Sequence, residues 1–159
     1  MSGIAFARLG PDDRARVAHL VLGPGQDAFT ANPVDRLGML APGEEAWAVL
    51  DGPDVVGFFV LDRHFSRSNP FAGAQEIGLR SLLIDASLQG RGLGRAVMEA
   101  LPGLVERDYP GTTGVVLTVN ARNPGARTAY LRAGFIDTGE IYLGGGSGPQ
   151  HVMRLRIGA

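Results

Sequence analysis

The stretch "IDASLQGRGLGRAVMEAL", residues 84–101, constrains the fold more than any other part of the chain, because it sets Gly90, Gly92 and Gly94 between a strand-like apolar run and a helix-like one. Glycine lacks a Cβ, so the backbone there reaches positive φ and approaches a ligand closely. A strand that turns through such a loop into a helix aims the helix's free N–H groups over the turn, which is an anion-binding arrangement. Leu93, Val97, Ala100, Leu101, Leu104 and Val105 recur at helical spacing and predict a helix over 92–107. Pro102 removes one backbone hydrogen bond from that helix, so a kink or break is expected there. Phosphates, dinucleotides and coenzyme A all use loops of this kind, and the rest of the chain must decide between them.

The flanking segments supply an alternating α/β order. "IAFARL" (4–9) alternates as a strand, and "GPDDRARVAHLVLG" opens with Pro11 and two acids and closes at Gly23, predicting a helix between them. Pro and Gly break every run of residues 24–45, leaving a loop with a short helix near 33–40. "AWAVLDGPDVVGFFVLDR" reads as a hairpin about "DGPD", with Trp47, Phe58 and Phe59 as strand packing residues. A polar loop over 64–74 leads to a third antiparallel strand, "QEIGLRSLLID". After the glycine loop, "GVVLTV" (114–119) fits a buried strand, and "NPGARTAYLRAGF" a helix with Pro124 in its first turn and Gly134 at its end. A right-handed crossover makes strands 76–85 and 114–119 parallel neighbours. "FIDTGEIYL" and "HVMRLRI" close the chain as a last hairpin.

At 159 residues the expectation is one domain over 1–159, with no internal repeat or linker. A net charge of −1 gives no polyanion-seeking surface, so nucleic acid is not expected as a partner. The absence of cysteine removes disulfides, thiolate metal sites and a cysteine nucleophile. No apolar run is long enough to span a bilayer, and the N-terminus does not read as a secretory signal, so no membrane partner and a cytoplasmic location are expected. All 15 basic residues are arginine, a bias of GC-rich bacterial genomes. A P-loop needs a lysine after its second glycine, which excludes that route to nucleotide hydrolysis. A dinucleotide fold needs G-x-G-x-x-G after its first strand and an acid closing the next; here the spacing is G-x-G-x-G, three strands precede it, and the next strand ends in Asn120.

Two motifs then carry a resemblance. "LLIDASLQGRGLGRAVM" resembles the acyl-CoA motif Q/R-x-x-G-x-G/A of the GNAT superfamily of N-acetyltransferases, through Gln89, Gly92 and Gly94. "NPGARTAYLRAGF" is similar to that family's N-x-x-A-x-x-x-Y-x-x-x-G-F, through Asn123, Ala126, Tyr130, Gly134 and Phe135. The two occur in the family's order, about 30 residues apart, with the expected strand between them. The resemblance implies a mixed, mostly antiparallel sheet of six to seven strands with a central parallel pair and flanking helices. It implies acetyl-CoA as co-substrate, without a metal, and transfer of acetyl to a primary amine by direct attack.

By the same resemblance, the pyrophosphate lies on the backbone N–H groups of residues 90–95, Gly90 to Arg95 through Leu93, with Arg91 and Arg95 adding charge. The pantetheine arm pairs with Leu82, Leu83 and Ile84, an N–H near Ile84 polarises the thioester carbonyl, and Asn123 orients the coenzyme. Tyr130 matches the tyrosine that protonates the departing thiolate. The candidate base is Glu76, on the strand before the loop. It is out of register, since alignment on Gln89 puts Gly78 where the family carboxylate falls, but residues 76 and 78 share a strand face. Glu44, Glu45, Asp62 and Glu140 are other acids able to attract a cationic acceptor, and nothing in the sequence distinguishes them from ordinary surface charge. His19, His64 and His151 lack zinc-site spacing, and His151 borders the expected acceptor pocket.

Residues 24–45, 64–74 and 144–149 are expected to shape that pocket for a small-molecule or peptide amine. A homodimer is a family-level expectation. Two alternatives remain at this point: a non-catalytic acyl-CoA-binding sensor or partner module, and a dinucleotide-binding domain.

Overall fold

A computed structural model describes residues 3–24, 31–144 and 148–158. Seven strands form one sheet in the order β1-β2-β3-β4-β5-β7-β6. They are β1 (Ile4–Leu9), β2 (Glu44–Asp51), β3 (Asp54–Asp62), β4 (Glu76–Ile84), β5 (Gly114–Asn120), β6 (Ile136–Tyr142) and β7 (Gln150–Arg156). Every neighbouring pair is antiparallel except β4 and β5, which are parallel. The mixed, mostly antiparallel sheet with its central parallel pair matches the expectation, and the β2–β3 turn falls at "DGPD".

Helices cover both faces. On one lie α1 (Arg14–Val17), α2 (Pro33–Leu37) and α3 (Phe65–Ser68); on the other lie α4 (Leu93–Asp108) and α5 (Pro124–Arg132). The α4 face holds the larger core, where Val97, Leu101 and Leu104 meet Trp47, Phe59, Leu79 and Leu117. The α1 face packs Val17, Leu20 and Leu37 against Ala46, Phe58, Val60 and Leu83. Strand alternation divides β2 and β3 between the two cores, so Phe58 and Phe59 are both buried on opposite faces.

Three local expectations need correction. The helix over 10–23 is much shorter: a 3-10 turn, Pro11–Asp13, leads into α1, which ends at Val17. The backbone of Val21 bonds elsewhere, its N–H to the Asp85 carboxylate (2.7 Å) and its carbonyl to the N–H of Ala86 (2.9 Å). These long-range bonds replace the helical ones. The break at Pro102 does not occur either, because α4 runs unbroken through it. A proline inside a helix costs about 3 kcal/mol, but burying Leu101, Leu104 and Val105 returns about 1.5–3 kcal/mol each. Finally, the loop over 64–74 contains α3. Buried Phe65 anchors it, Asp62 accepts the His64 N–H (2.8 Å), and the Asn69 side-chain amide bonds the Phe65 carbonyl (2.9 Å).

No helix among the described residues is long and apolar enough to cross a membrane.

Candidate active site

The parallel strands β4 and β5 pair only at Glu76–Gly114, Ile77–Val115 and Gly78–Val116. Beyond those residues both strands continue, β4 to Ile84 and β5 to Asn120, without pairing each other. A cleft of about 660 Å³ opens there, lined by Leu79, Arg80, Ser81 and Leu82 on one side and Leu117, Thr118, Val119 and Asn120 on the other. Open strand edges hold unpaired N–H and C=O groups, which an extended ligand can bond as an added strand.

A bulge reshapes the β4 wall. Phe58 pairs with Leu83 and Val60 with Arg80, so one residue of β3, Phe59, faces two of β4, Ser81 and Leu82. The extra residue lies at Ser81, whose φ of 58° is the one positive value among the described non-glycine residues. Such a bulge re-aims the strand beside it. After it, the Asp85 N–H bonds the Val56 carbonyl on β3 (2.9 Å), and alternation turns the Ile84 N–H to the opposite edge, toward the gap. Leu82 and Ile84 pack toward the α4 core, whereas the Leu83 side chain is buried in the α1 core and, by the same alternation, its backbone groups face β3 and not the gap.

The glycine loop sits above the gap. Gly90 (φ 84°) and Gly92 (φ 81°) both take left-handed conformations, and Gly92 is the N-cap of α4. A side chain at either would be strained. The N–H groups of Leu93, Gly94 and Arg95, in the first turn of a 16-residue helix, have no intrahelical acceptors. They point out of the helix with the positive end of its dipole. Leu93 packs its side chain on the core, while Arg91 is exposed and Arg95 bridges Glu99 (3.3 Å) on the surface. Gln89 donates to the Ile84 carbonyl (2.9 Å), tying the loop to the end of β4.

The second motif forms the far wall. Asn123 caps α5 by accepting the Ala126 N–H (3.3 Å), and both line the cleft with Tyr130. Tyr130 packs edge-on against Phe135 (5.5 Å between centroids), and Gly134 (φ 103°) turns the chain so that this contact forms. The Tyr130 hydroxyl has no hydrogen-bond partner among the described residues. Burial pushes its phenol up to about 12, so it stays protonated across the physiological range.

Glu76 does not join this group. It accepts two hydrogen bonds from Arg154 (2.5 and 3.1 Å) and one from the Gly73 N–H (2.7 Å), in a separate cavity at the paired end of β4 and β5. That arrangement satisfies the carboxylate and separates it from the cleft. The position the family carboxylate would occupy is also closed, because a Cβ on Gly78 would lie 2.1 Å from Phe65 Cδ1. Of the other acids, only Glu44 lines the cleft. Burial opposes its ionisation, but two bonds from Arg36 (2.7 and 3.0 Å), the Ala41 N–H and the charges of Arg36 and Arg80 outweigh this and hold its carboxyl below the ordinary value. Glu45 lies on the opposite strand face, bonded to Tyr109 and Arg63. His151 is 4.0 Å from Asp137 and does not line the cleft.

Arg36, Arg80 and Ser81 did not emerge from the sequence. Arg36 on α2 bonds the Ser81 hydroxyl (2.9 Å), fastening α2 to the bulge, and Arg80 stacks on Phe65 (4.7 Å). The signal was present as "RS" within the apolar "IGLRSLLI". Residues 25–30 and 145–147, which belong to two segments expected to shape the acceptor pocket, lie outside the described residues.

The same architecture recurs in solved proteins. The aminoglycoside acetyltransferase AAC(6')-Ib, in complex with paromomycin and acetyl-CoA, superposes with a TM-score of 0.79 at 18% identity, over 97% of this chain and 93% of that one. A spermidine N-acetyltransferase SpeG chimera, from Vibrio cholerae and hSSAT, gives 0.68 at 17% identity, over 98% and 96%. In sequence, the chain is 29% identical over 150 residues to the uncharacterized N-acetyltransferase YbbJ of Bacillus subtilis, covering 89% of this chain and 90% of that protein. Residues 36–154 match the family described as "Acetyltransferase (GNAT) domain". That match takes in β4, the glycine loop and the tyrosine helix together, and the chain belongs to the GNAT acetyltransferase family.

Proposed function

We propose that this protein transfers acetyl from acetyl-CoA to the primary amine of a small acceptor by direct attack, with no covalent enzyme intermediate. The observation that carries the proposal is the gap between the parting strands β4 and β5, flanked by Tyr130, in a chain whose β4 leads through the Gly90 and Gly92 turn into the first turn of α4. The pyrophosphate is held by the N–H groups of residues 90–95, with Arg91 and Arg95 contributing charge. The pantetheine arm lies in the gap as a substitute strand against the edge of β4 at Leu82 and Ile84, with Leu83 turned to β3, and Asn123 orients it from the other side.

The Ile84 N–H polarises the thioester carbonyl and stabilises the oxyanion as nitrogen attacks carbon. Collapse breaks the carbon–sulfur bond, and the Tyr130 hydroxyl gives its proton to the departing thiolate. A phenol near 12 is a weaker acid than a thiol, so this transfer is uphill and is completed as the nitrogen, now an amide, loses its proton through solvent and the tyrosinate is reprotonated. Glu76 has no part in this scheme, and Glu44 is occupied by Arg36. The acceptor amine therefore enters neutral or sheds its proton to solvent, and kcat/KM rises with pH toward the amine's own pKa.

Calorimetric titration of the protein with acetyl-CoA, with free CoA and NAD as comparisons, tests the proposal. Binding near micromolar, about −8 kcal/mol, without NAD binding supports it. A folded sample that ignores acetyl-CoA overturns it. Acetyl-CoA binding with no turnover of any amine would favour the sensor reading instead.

A further inference from the structure

The cleft passes through the sheet, and its two mouths differ. On the side of α5 it is lined by Asn123, Ala126 and Tyr130; on the α1 side it is walled by Arg36, Glu44, Phe65, Arg80 and Ser81. Charge on the α1 side is balanced: Arg36 binds Glu44 in a fork, and Arg80 contacts Asp62 (3.3 Å) and Glu44 (3.5 Å). Among the described residues, no carboxylate there is free to receive a cation. Asp62 is further occupied by the His64 N–H, and Glu44 by the Ala41 N–H.

Arg80 is different. Both acids are contacted through its Nε, and its two terminal nitrogens make no hydrogen bond among the described residues. Its side chain is 37% exposed, its guanidinium carbon lies over the Phe65 ring at 4.7 Å from the centroid, and it forms part of the cleft wall. A guanidinium edge that is oriented, partly desolvated and unbonded is the geometry that takes a carboxylate by two parallel hydrogen bonds. It lies on the opposite face of the sheet from α4, so the coenzyme pyrophosphate does not reach it.

We propose that the acceptor is a small aminocarboxylate, whose carboxylate docks on the free edge of Arg80 while its amine reaches the thioester beside the bulge. This rests on the acetyltransferase reading above and specifies its second substrate. A polycationic amine would meet two fixed arginines and, among the described residues, no free acid. Arg80 lies four residues before Ile84, ~13 Å along an ideal strand and less with the bulge, so the spacing between amine and carboxylate in the acceptor is itself a variable.

The test compares free acids with their carboxamides across α-amino acids, ω-amino acids and dipeptides, with spermidine alongside. Amides have the more easily deprotonated amine, so intrinsic reactivity opposes the expected order. For the best acceptor we expect kcat/KM to favour the acid by about tenfold or more, mostly through KM, as one charge-assisted forked pair provides. Arg80→Gln should bring that ratio near one with acetyl-CoA affinity unchanged, and Arg80→Lys, which keeps the charge without the fork, should fall between. Equal use of acid and amide, preference for spermidine, or a ratio that survives Arg80→Gln overturns the inference and leaves the acetyltransferase standing. Loss of acetyl-CoA binding in the unmodified protein is the distinct result that removes both.

Discussion

The strands β4 and β5 behave as two different structures along one length. At their paired end, Glu76, Gly78 and Gly114 close against Arg154 and Phe65, and both oxygens of the Glu76 carboxylate are bonded. At their open end the same strands part, Ser81 takes positive φ, and the Tyr130 hydroxyl stands unbonded over the gap. Strain and unsatisfied groups gather at one end because the other end is well satisfied, and sites tolerate such features only when their surroundings hold them. The lesson concerns acids in particular. Glu76 has the residue type expected of a base, yet its bonds make it a structural anchor.

The contrast can be broken at either end. Tyr130→Phe carries the largest expected effect, a fall in kcat of ~10²-fold or more with acetyl-CoA affinity nearly intact. Unchanged turnover would remove its acid role. At the closed end, Gly78→Ala forces a Cβ into Phe65 and should cost about 1–3 kcal/mol of stability, read as a lowered denaturation midpoint. An unshifted midpoint would mean that α3 yields freely. Glu76→Gln should lower stability by roughly 1–2 kcal/mol, leaving Arg154 without its charged partner, while kcat below the unfolding range holds. A kcat loss in a folded Glu76→Gln protein would return that residue to the site.

The smallest effect is in acid. Asp85 is held below its ordinary 3.8 by the Ser87 hydroxyl and then, against some burial, by the Val21 N–H. Asp137 is held below the same value first by the Gly139 N–H and next by Arg127. Because both folded values are lowered, the stability they contribute is complete above about pH 4 and is lost as pH falls through those values. Asp137→Asn should flatten that part of the stability-versus-pH curve, and an unchanged curve would show that Asp137 contributes nothing to it.

Local patterning made much of this legible. The two hairpins, the glycine loop and the helical spacing from Leu93 to Val105 each record a short-range requirement. So does Tyr130, set by Asn123 at one end of its helix and Gly134 at the other. What escaped the sequence depends on distant partners. Val21 leaves its helix because Asp85 and Ala86, more than sixty residues away, take its hydrogen bonds. Arg80 looked like an ordinary strand charge until Phe65 and Asp62 were brought to it. Glu76 is held outside the cleft for the same reason, since its partner Arg154 lies 78 residues away.

The bulge at Ser81 also reverses the parity of β4. Before it, the odd-numbered Ile77 and Leu79 face α4; after it, the even-numbered Leu82 and Ile84 do. Deleting Ser81 would thus do more than straighten one strand: it would exchange the faces of everything from Leu82 to Ile84, sending Leu83 out of the α1 core and turning the Ile84 N–H away from the gap. The inserted residue works as a frame shift in three dimensions, and catalytic geometry downstream is written in the shifted frame.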